Sequence, residues 1–210
     1  MSNRIHCNPG LRMQLQGKYF FQGVYMGHRI CPWWMGPLLA SPLRRVLYSP
    51  EDLLVAYVEK GMTALDIGCG MGFFSLPLAR MVGSTGKVLC VDLQEKMIKG
   101  LVRRAIKAGL AYRIDARLCR KDKLDLDDFT GGIDFALACA IMHEVPDKDQ
   151  LLSEIYKTMK KEGRLLISEP SGHVGTAEFE GTVQIAQTAG FEPVGRPEIR
   201  RSRTILLRKR

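Results

Sequence analysis

Three glycines in five residues, Gly68, Gly70 and Gly72, separate the apolar run "TALDI" from the stretch "FFSLPLAR" in "ALDIGCGMGFFSLPLAR". A strand that ends on such a turn and feeds directly into a helix is the opening unit of a parallel, doubly wound sheet. In that architecture ligands sit beyond the carboxyl ends of the strands, against the first strand-to-helix turn. The rest of the chain keeps the same grammar. Ser49 reads as an N-cap with Pro50 at the first helical position of "SPEDLLVAYVEKG", and Gly61 reads as its stop. "KVLCVDL", "ARLC", "IDFALACA" and "RLLISEP" read as strands. "MGFFSLPLARMVG", "QEKMIKGLVRRAIKAG", "KDQLLSEIYKTMKKEG" and "TAEFEGTVQIAQTAG" read as the helices between and after them. Nearly continuous apolar strands alternating with amphipathic helices specify an α/β sheet covered on both faces. The last two strands, "FEPVGRPEI" and "RTILLRK", are joined only by "RRS" and so form an antiparallel hairpin. Seven strands in one domain, residues 49–210, follow. Residues 1–48 are dense in Gly, Pro and aromatics and read as a lid-like segment over a ligand site.

The glycine turn fits a nucleotide-type ligand, since glycine lets backbone amides approach it and a helix N-terminus favours an anionic group. Three details narrow the choice. Phe73 stands where a dinucleotide site needs its third glycine. Asp66 precedes the turn, where a carboxylate repels a pyrophosphate but attracts the ammonium of an amino acid, whose carboxylate would meet the loop amides. Asp92 ends the second strand 20 residues beyond Gly72, a position from which a carboxylate accepts both hydroxyls of an unphosphorylated ribose. An amino acid joined to one ribose, without pyrophosphate, describes S-adenosylmethionine.

At this point "LDIGCGMG", "VLCVDLQEKM", "IMHEVPD" and "GRLLISEP" together resemble the motifs of class I S-adenosylmethionine-dependent methyltransferases, over about Ser49 to Lys209. The resemblance is closest to the small-molecule branch that includes ubiquinone/menaquinone-type and arsenite methyltransferases. It implies a Rossmann-like seven-stranded sheet of order 3-2-1-4-5-7-6 with strand 7 antiparallel. It also implies that Gly68, Cys69, Gly70 and Gly72 line the methionine moiety, and that Asp66 acts on its amino group. Asp92 would hold the ribose and Leu93 pack on the adenine. Arg120 or Asp122 would stand at the adenine edge, and Ala140 and Ile141 beside the sulfonium.

Methyl transfer asks the protein to align the acceptor, exclude water and, for some acceptors, remove a proton. His143, after the fourth strand, is either that group or a tie within the "MHEVPDKDQ" turn. Glu169 ends the fifth strand and His173 follows in "SEPSGH"; both are candidate acceptor contacts, with hydrogen bonding inside the loop as the alternative. Trp33 and Trp34 either wall an apolar pocket or anchor the N-terminal segment. His6, Cys7, His28 and Cys31 match no recognised zinc spacing, so no metal is expected.

The net charge of +9 leaves a nucleic-acid partner open, and seven Arg/Lys against one Glu in "GRPEIRRSRTILLRKR" concentrate part of it. A solvated basic edge strand explains the same residues. An RNA or other nucleic-acid methyltransferase is therefore the alternative to a small-molecule enzyme. Against it, "AIMHEV" stands where a flipped base's amino group would meet an "NPPY"-like motif. Six cysteines without a CxxC pair suit a reducing interior. With no apolar leader and no span long enough for a bilayer, the expectation is a cytoplasmic protein.

Overall fold

A computed structural model describes residues 31–41 and 49–210. A 3-10 turn, Trp33–Met35, leads into the short helix α1, Gly36–Leu39, and α2 spans Pro50–Leu54. Strands β1 (Thr63–Ile67), β2 (Lys87–Asp92), β3 (Ile114–Leu118), β4 (Ile133–Cys139) and β5 (Met159–Pro170) follow, interleaved with α3 (Ser75–Met81), α4 (Glu95–Lys107) and α5 (Lys148–Thr158). Helix α6 (Thr176–Thr188) and strands β6 (Phe191–Gly195) and β7 (Ser202–Lys209) complete the chain. The sheet order is β3-β2-β1-β4-β5-β7-β6, with β1 to β5 parallel and β7 antiparallel to both its neighbours. This is the α/β architecture and strand order expected from the motifs.

Alternation along each strand divides the core into two layers. Ala64, Phe135, Leu137 and Leu166 face the layer built with Leu78 of α3 and Ile98 and Leu101 of α4. Leu65, Ile67, Ala136 and Ile167 face the layer built with Leu152 and Ile155 of α5 and Phe179 and Val183 of α6. Side chains of this size contribute about 1.5–3 kcal/mol each when fully buried, and both faces of the central strands are used.

Three boundaries differ from the sequence reading. Ser49 does cap α2, its Oγ accepting the N–H of Asp52 at 3.3 Å, but regular helix stops at Leu54. Helix α5 ends at Thr158, five residues before the expected Gly163. The Gly131 and Gly132 amides take up the carbonyls of Lys157 and Thr158, Met159 pairs with Ile133, and Glu162 turns the chain at φ 64°. The final hairpin has a longer link than "RRS": β6 stops at Gly195, before Pro197, whose nitrogen has no hydrogen to donate to a ladder. Among the described residues no helix is long and apolar enough to cross a membrane.

Candidate functional site

The strand order reverses around β1, so the loops after β1 and β4 diverge and open a cleft at their carboxyl ends. A cavity of about 370 Å³ occupies it, within the range of small-molecule sites. Ten expected cofactor residues line it: Asp66, Gly68, Cys69, Gly70, Asp92, Leu93, Arg120, Asp122, Ala140 and Ile141. His143 and His173 line it as well. Gly72 and Glu169 do not.

The glycine turn is folded back on β2. Gly68 and Cys69 donate their amides to the carbonyl of Val91 at 2.9 and 3.1 Å, and Gly70 donates to Asp92 Oδ2 at 2.9 Å. The expectation that a ligand carboxylate meets these amides is therefore corrected: their hydrogens are already committed to the neighbouring strand. What the turn offers instead is room. Gly70 sits at φ 53°, and a Cβ built on it would meet nothing within 4 Å. At Gly72, φ 84°, a Cβ would lie 2.4 Å from Leu101 Cδ1. That glycine admits α4 against the turn, and its assignment to the methionine moiety is corrected to helix packing.

Two carboxylates flank this floor. Asp66 is 2% exposed and accepts the Ser75 hydroxyl at 2.5 Å. Burial pushes its carboxyl up to about 7, against the lowering effect of that hydrogen bond, and the charge of Asp92 adds to the rise. Asp92 is 8% exposed and is also raised by burial, opposed by the amides of Gln94 and Gly70. Its Oδ1 accepts from Gln94 at 2.8 Å. Each carboxylate oxygen has a second lone-pair site, so Asp92 can still receive two hydroxyls. Among the described residues neither acid forms a salt bridge. Burying two carboxylates without a cation is unfavourable, and a positively charged ligand relieves it. Open space over Gly70, two flanking acids and spare acceptors on Asp92 fit S-adenosylmethionine.

Cys69 and Cys119 are held as neutral thiols. Burial first, then nearby negative groups, holds Cys69 well above its usual range and pushes Cys119 up to about 12. At the far end of the cleft Arg120 is half-exposed and pairs with Asp125 at 3.2 Å, while Asp122 is largely solvated. Their loop is fixed from below by Arg117, which reaches Asp115 at 3.0 Å and Asp128 at 2.7 Å.

On the β4 side, Ala140 sits at φ 57°, a left-handed conformation that non-glycine residues seldom adopt. Its amide donates to the Ser168 carbonyl at 2.8 Å. Glu169 is 1% exposed. Its Oε1 accepts the amides of Ile141 and Met142 at 3.0 and 2.9 Å, and its Oε2 bonds His143 Nδ1. The expectation that Glu169 contacts an acceptor is corrected, because its side chain is buried beneath the loop and does not line the cavity. His143 and His173 meet edge to face, 6.2 Å between centroids.

The N-terminal residues 31–41 cross the cleft. The Cys31 amide donates to Glu144 Oε1 at 3.2 Å, and its carbonyl accepts from Gln94 Nε2 at 2.8 Å. This one residue thus ties the segments after β2 and β4 together. Arg104 holds the Ala40 carbonyl at 3.0 Å and also bonds Met71 O. Gly36 lies so close to the turn that a Cβ would approach Met71 Cε to 2.6 Å and Met97 Sδ to 2.9 Å. Trp33 and Trp34 do not wall the cavity; both rings are exposed, and Lys96 Nζ stands 3.7 Å from the Trp33 centroid. His6, Cys7 and His28 lie outside the described residues. Gln94 and Arg104 carry no sequence signature, since each acts on a backbone carbonyl distant in the chain.

Comparison with known proteins agrees with this geometry. The methyltransferase-domain family matches residues 58–191. A demethylmenaquinone methyltransferase of Lactobacillus johnsonii is 33% identical over 114 residues, 54% of this chain and 46% of that protein. A ubiquinone/menaquinone biosynthesis C-methyltransferase of Escherichia coli is 31% identical over 112 residues, 53% of this chain and 44% of that protein. The chain thus spans about half the length of these curated relatives. The crystal structure of a SAM-dependent methyltransferase from Aquifex aeolicus superimposes with a TM-score of 0.77 at 25% identity, covering 85% of this chain and 99% of that one.

Proposed function

The chain belongs to the S-adenosylmethionine-dependent methyltransferase family, and from that premise we propose that it methylates a small, largely apolar molecule by in-line displacement. The observation that carries this reading is the pair of buried acids, Asp66 and Asp92, on either side of the open floor at Gly70. When bound, the cofactor supplies a methyl group already activated on a positively charged sulfur. The protein's part is to hold, align and dehydrate. Asp92 accepts the ribose hydroxyls and Asp66 balances the ammonium. Gly68, Cys69 and Gly70 form the floor under the methionine moiety, and Leu93 covers the adenine, with Arg120 and Asp122 at its rim. Ala140 and Ile141, fixed by Glu169 and Ser168, flank the sulfur.

The acceptor side is apolar where residues 35–40 and the loop after β1 close over the cleft, through Met35, Leu39, Phe73 and Phe74. That lining, together with the quinone pathway enzymes among the relatives, supports an aromatic, quinone-like acceptor. Residues 31–41 act as its lid. A nucleic-acid acceptor draws support from net charge and from the basic C-terminal stretch. Arginines of the basic C-terminal hairpin are engaged with acids: Arg196 with Glu180 at 2.7 Å, and Arg208 and Arg210 with Glu192 at 2.8 and 3.0 Å.

Calorimetry with S-adenosylmethionine tests the cofactor assignment. Asp92→Ala removes hydrogen bonds to a charged acceptor worth about 1.5–3 kcal/mol each, so binding is expected to weaken at least about tenfold. Unchanged affinity contradicts the assignment. Labelled methyl donor incubated with a fractionated extract identifies the acceptor, and label confined to nucleic acid would reverse the choice of substrate class.

A further inference from the structure

The contacts of Glu169 divide into two kinds. Its Oε1 holds the turn after β4 through the amides of Ile141 and Met142. Its Oε2 is spent on His143 Nδ1. An ionised carboxylate only accepts hydrogen bonds, so a neutral imidazole against it carries its proton on Nδ1 and its lone pair on Nε2. The His143 side chain is 22% exposed and the ring lines the cavity beside His173. Its Nε2 lies 4.0 Å from Glu144 Oε1, which the Cys31 amide holds in place.

We propose that Glu169 is a positioning residue that fixes His143 as the Nδ1–H tautomer, so that Nε2 takes a proton of the acceptor during methyl transfer. This rests on the methyl-transfer reading of the cavity. At a hydroxyl or thiol the X–H proton moves to Nε2 and the pair left on X forms X–CH₃. At a ring carbon activated by a hydroxyl the O–H proton moves to Nε2, a π pair of the ring forms C–CH₃, and the ring C–H proton then leaves to water as the oxygen is reprotonated. The sulfur–methyl bond breaks with its pair remaining on sulfur, and His143 later releases the proton to water. The acceptor class is thereby restricted to atoms that must lose a proton on methylation: a hydroxyl, a thiol, or a ring carbon activated by a hydroxyl. A tertiary amine has no such proton.

Among the described residues, the carboxylates packed around the ring favour its cationic form after proton uptake. Glu169 on β5 acts through the hydrogen bond and raises the imidazole from its usual value, opposed by burial; Glu144 in the same turn and Glu178 on α6 add to the rise. Lys148 on α5 pairs with Glu178 at 3.5 Å, which tempers the last contribution. His173 is a further titratable neighbour.

The experiment is a pH titration followed by ¹⁵N spectroscopy of the histidine rings, with His143 assigned by its loss in His143→Gln. Wild-type protein is expected to show neutral His143 with hydrogen on Nδ1 and a midpoint above that of a free histidine. Glu169→Gln keeps a carbonyl oxygen for Ile141 and Met142 but presents an NH₂ group to the ring. It is expected to move the hydrogen to Nε2 and lower the midpoint. An Nε2–H ring in the wild type overturns the proposal whether or not the variant folds, and so does an unaltered tautomer in a folded Glu169→Gln. Failure of the wild type to bind S-adenosylmethionine would instead overturn the methyl-transfer reading, and the base role with it, while leaving the tautomer itself measured.

Discussion

Replacing Gly70 and Gly72 separately by alanine isolates the glycine that faces the ligand from the glycine that packs the fold. Both have positive φ, 53° and 84°, so each alanine meets about 1–2 kcal/mol of left-handed strain, offset by roughly 0.4–1 kcal/mol from the stiffer unfolded chain. At Gly70 the new methyl meets no protein atom within 4 Å. The net loss is therefore about 1 kcal/mol or less, a fall in Tm of about 2–4 °C for a chain of this size. At Gly72 the methyl is driven to 2.4 Å from Leu101 Cδ1, and Leu101 is fully buried, leaving it little room to withdraw. Overpacking adds about 1–3 kcal/mol, so Gly72→Ala is expected to lose about 2–4 kcal/mol and about 5–15 °C. Affinity inverts the order. The methyl at residue 70 fills the floor on which the ligand rests, and a loss of at least about 1.4 kcal/mol makes binding tenfold weaker. The folded Gly72→Ala protein keeps wild-type affinity. Thermal unfolding and calorimetry with S-adenosylmethionine read the two quantities separately. Wild-type binding by Gly70→Ala, or a binding defect confined to Gly72→Ala, would refute the placement of the ligand over Gly70.

Asp66 carries a pH signature of its own. Burial lifts its folded-state carboxyl from 3.8 to about 7, so the folded protein holds this proton more tightly than the unfolded chain. Its contribution is complete below about pH 4 and is lost as pH rises through about 7, up to about 4 kcal/mol. Urea unfolding of Asp66→Asn is expected to show a flatter stability profile across that window, and the same slope as wild type would count against the buried acid. Gln94→Ala deletes the hydrogen bond to the Cys31 carbonyl at 2.8 Å but keeps the Gln94 amide on Asp92. A loss of about 1 kcal/mol in lid closure predicts roughly fivefold faster cofactor release in stopped flow. Unchanged release would remove residues 31–41 from that role.

The central sheet was legible because its strands are apolar on both faces and bounded by glycine, and because β7 follows β6 too closely for a parallel crossover. Misplaced boundaries have local causes that no periodicity records. Helix α5 continues its apolar pattern past Thr158, yet Met159 is taken by Ile133 of the neighbouring strand and the glycines at 131 and 132 close the helix end. Pairing between strands outcompeted a helical pattern that was itself sound.

At the site, residues that act through their own position in the chain were readable, and residues that act through another residue were not. Asp66 and Asp92 could be placed at the cleft because Asp92 ends β2 and Asp66 stands one residue before the end of β1, and strand ends define the cleft. Gly72 belongs to the same short motif as Gly70, and only the position of Leu101, 29 residues later and on another helix, separates their tasks. Glu169 also ends a strand, and the same rule pointed it at the acceptor, but the diverging turn after β4 left two amides and an imidazole nitrogen to be satisfied first. A buried carboxylate that can accept several donors is held by them, so its chemistry passes to the group it orients. The rule that strand ends face the ligand therefore holds for position, whereas function goes to whichever side chain still reaches the cavity after the backbone is satisfied. At the ends of β4 and β5 that leaves Glu169 beneath the turn and His143 at the cavity, which is the arrangement behind the proposed base.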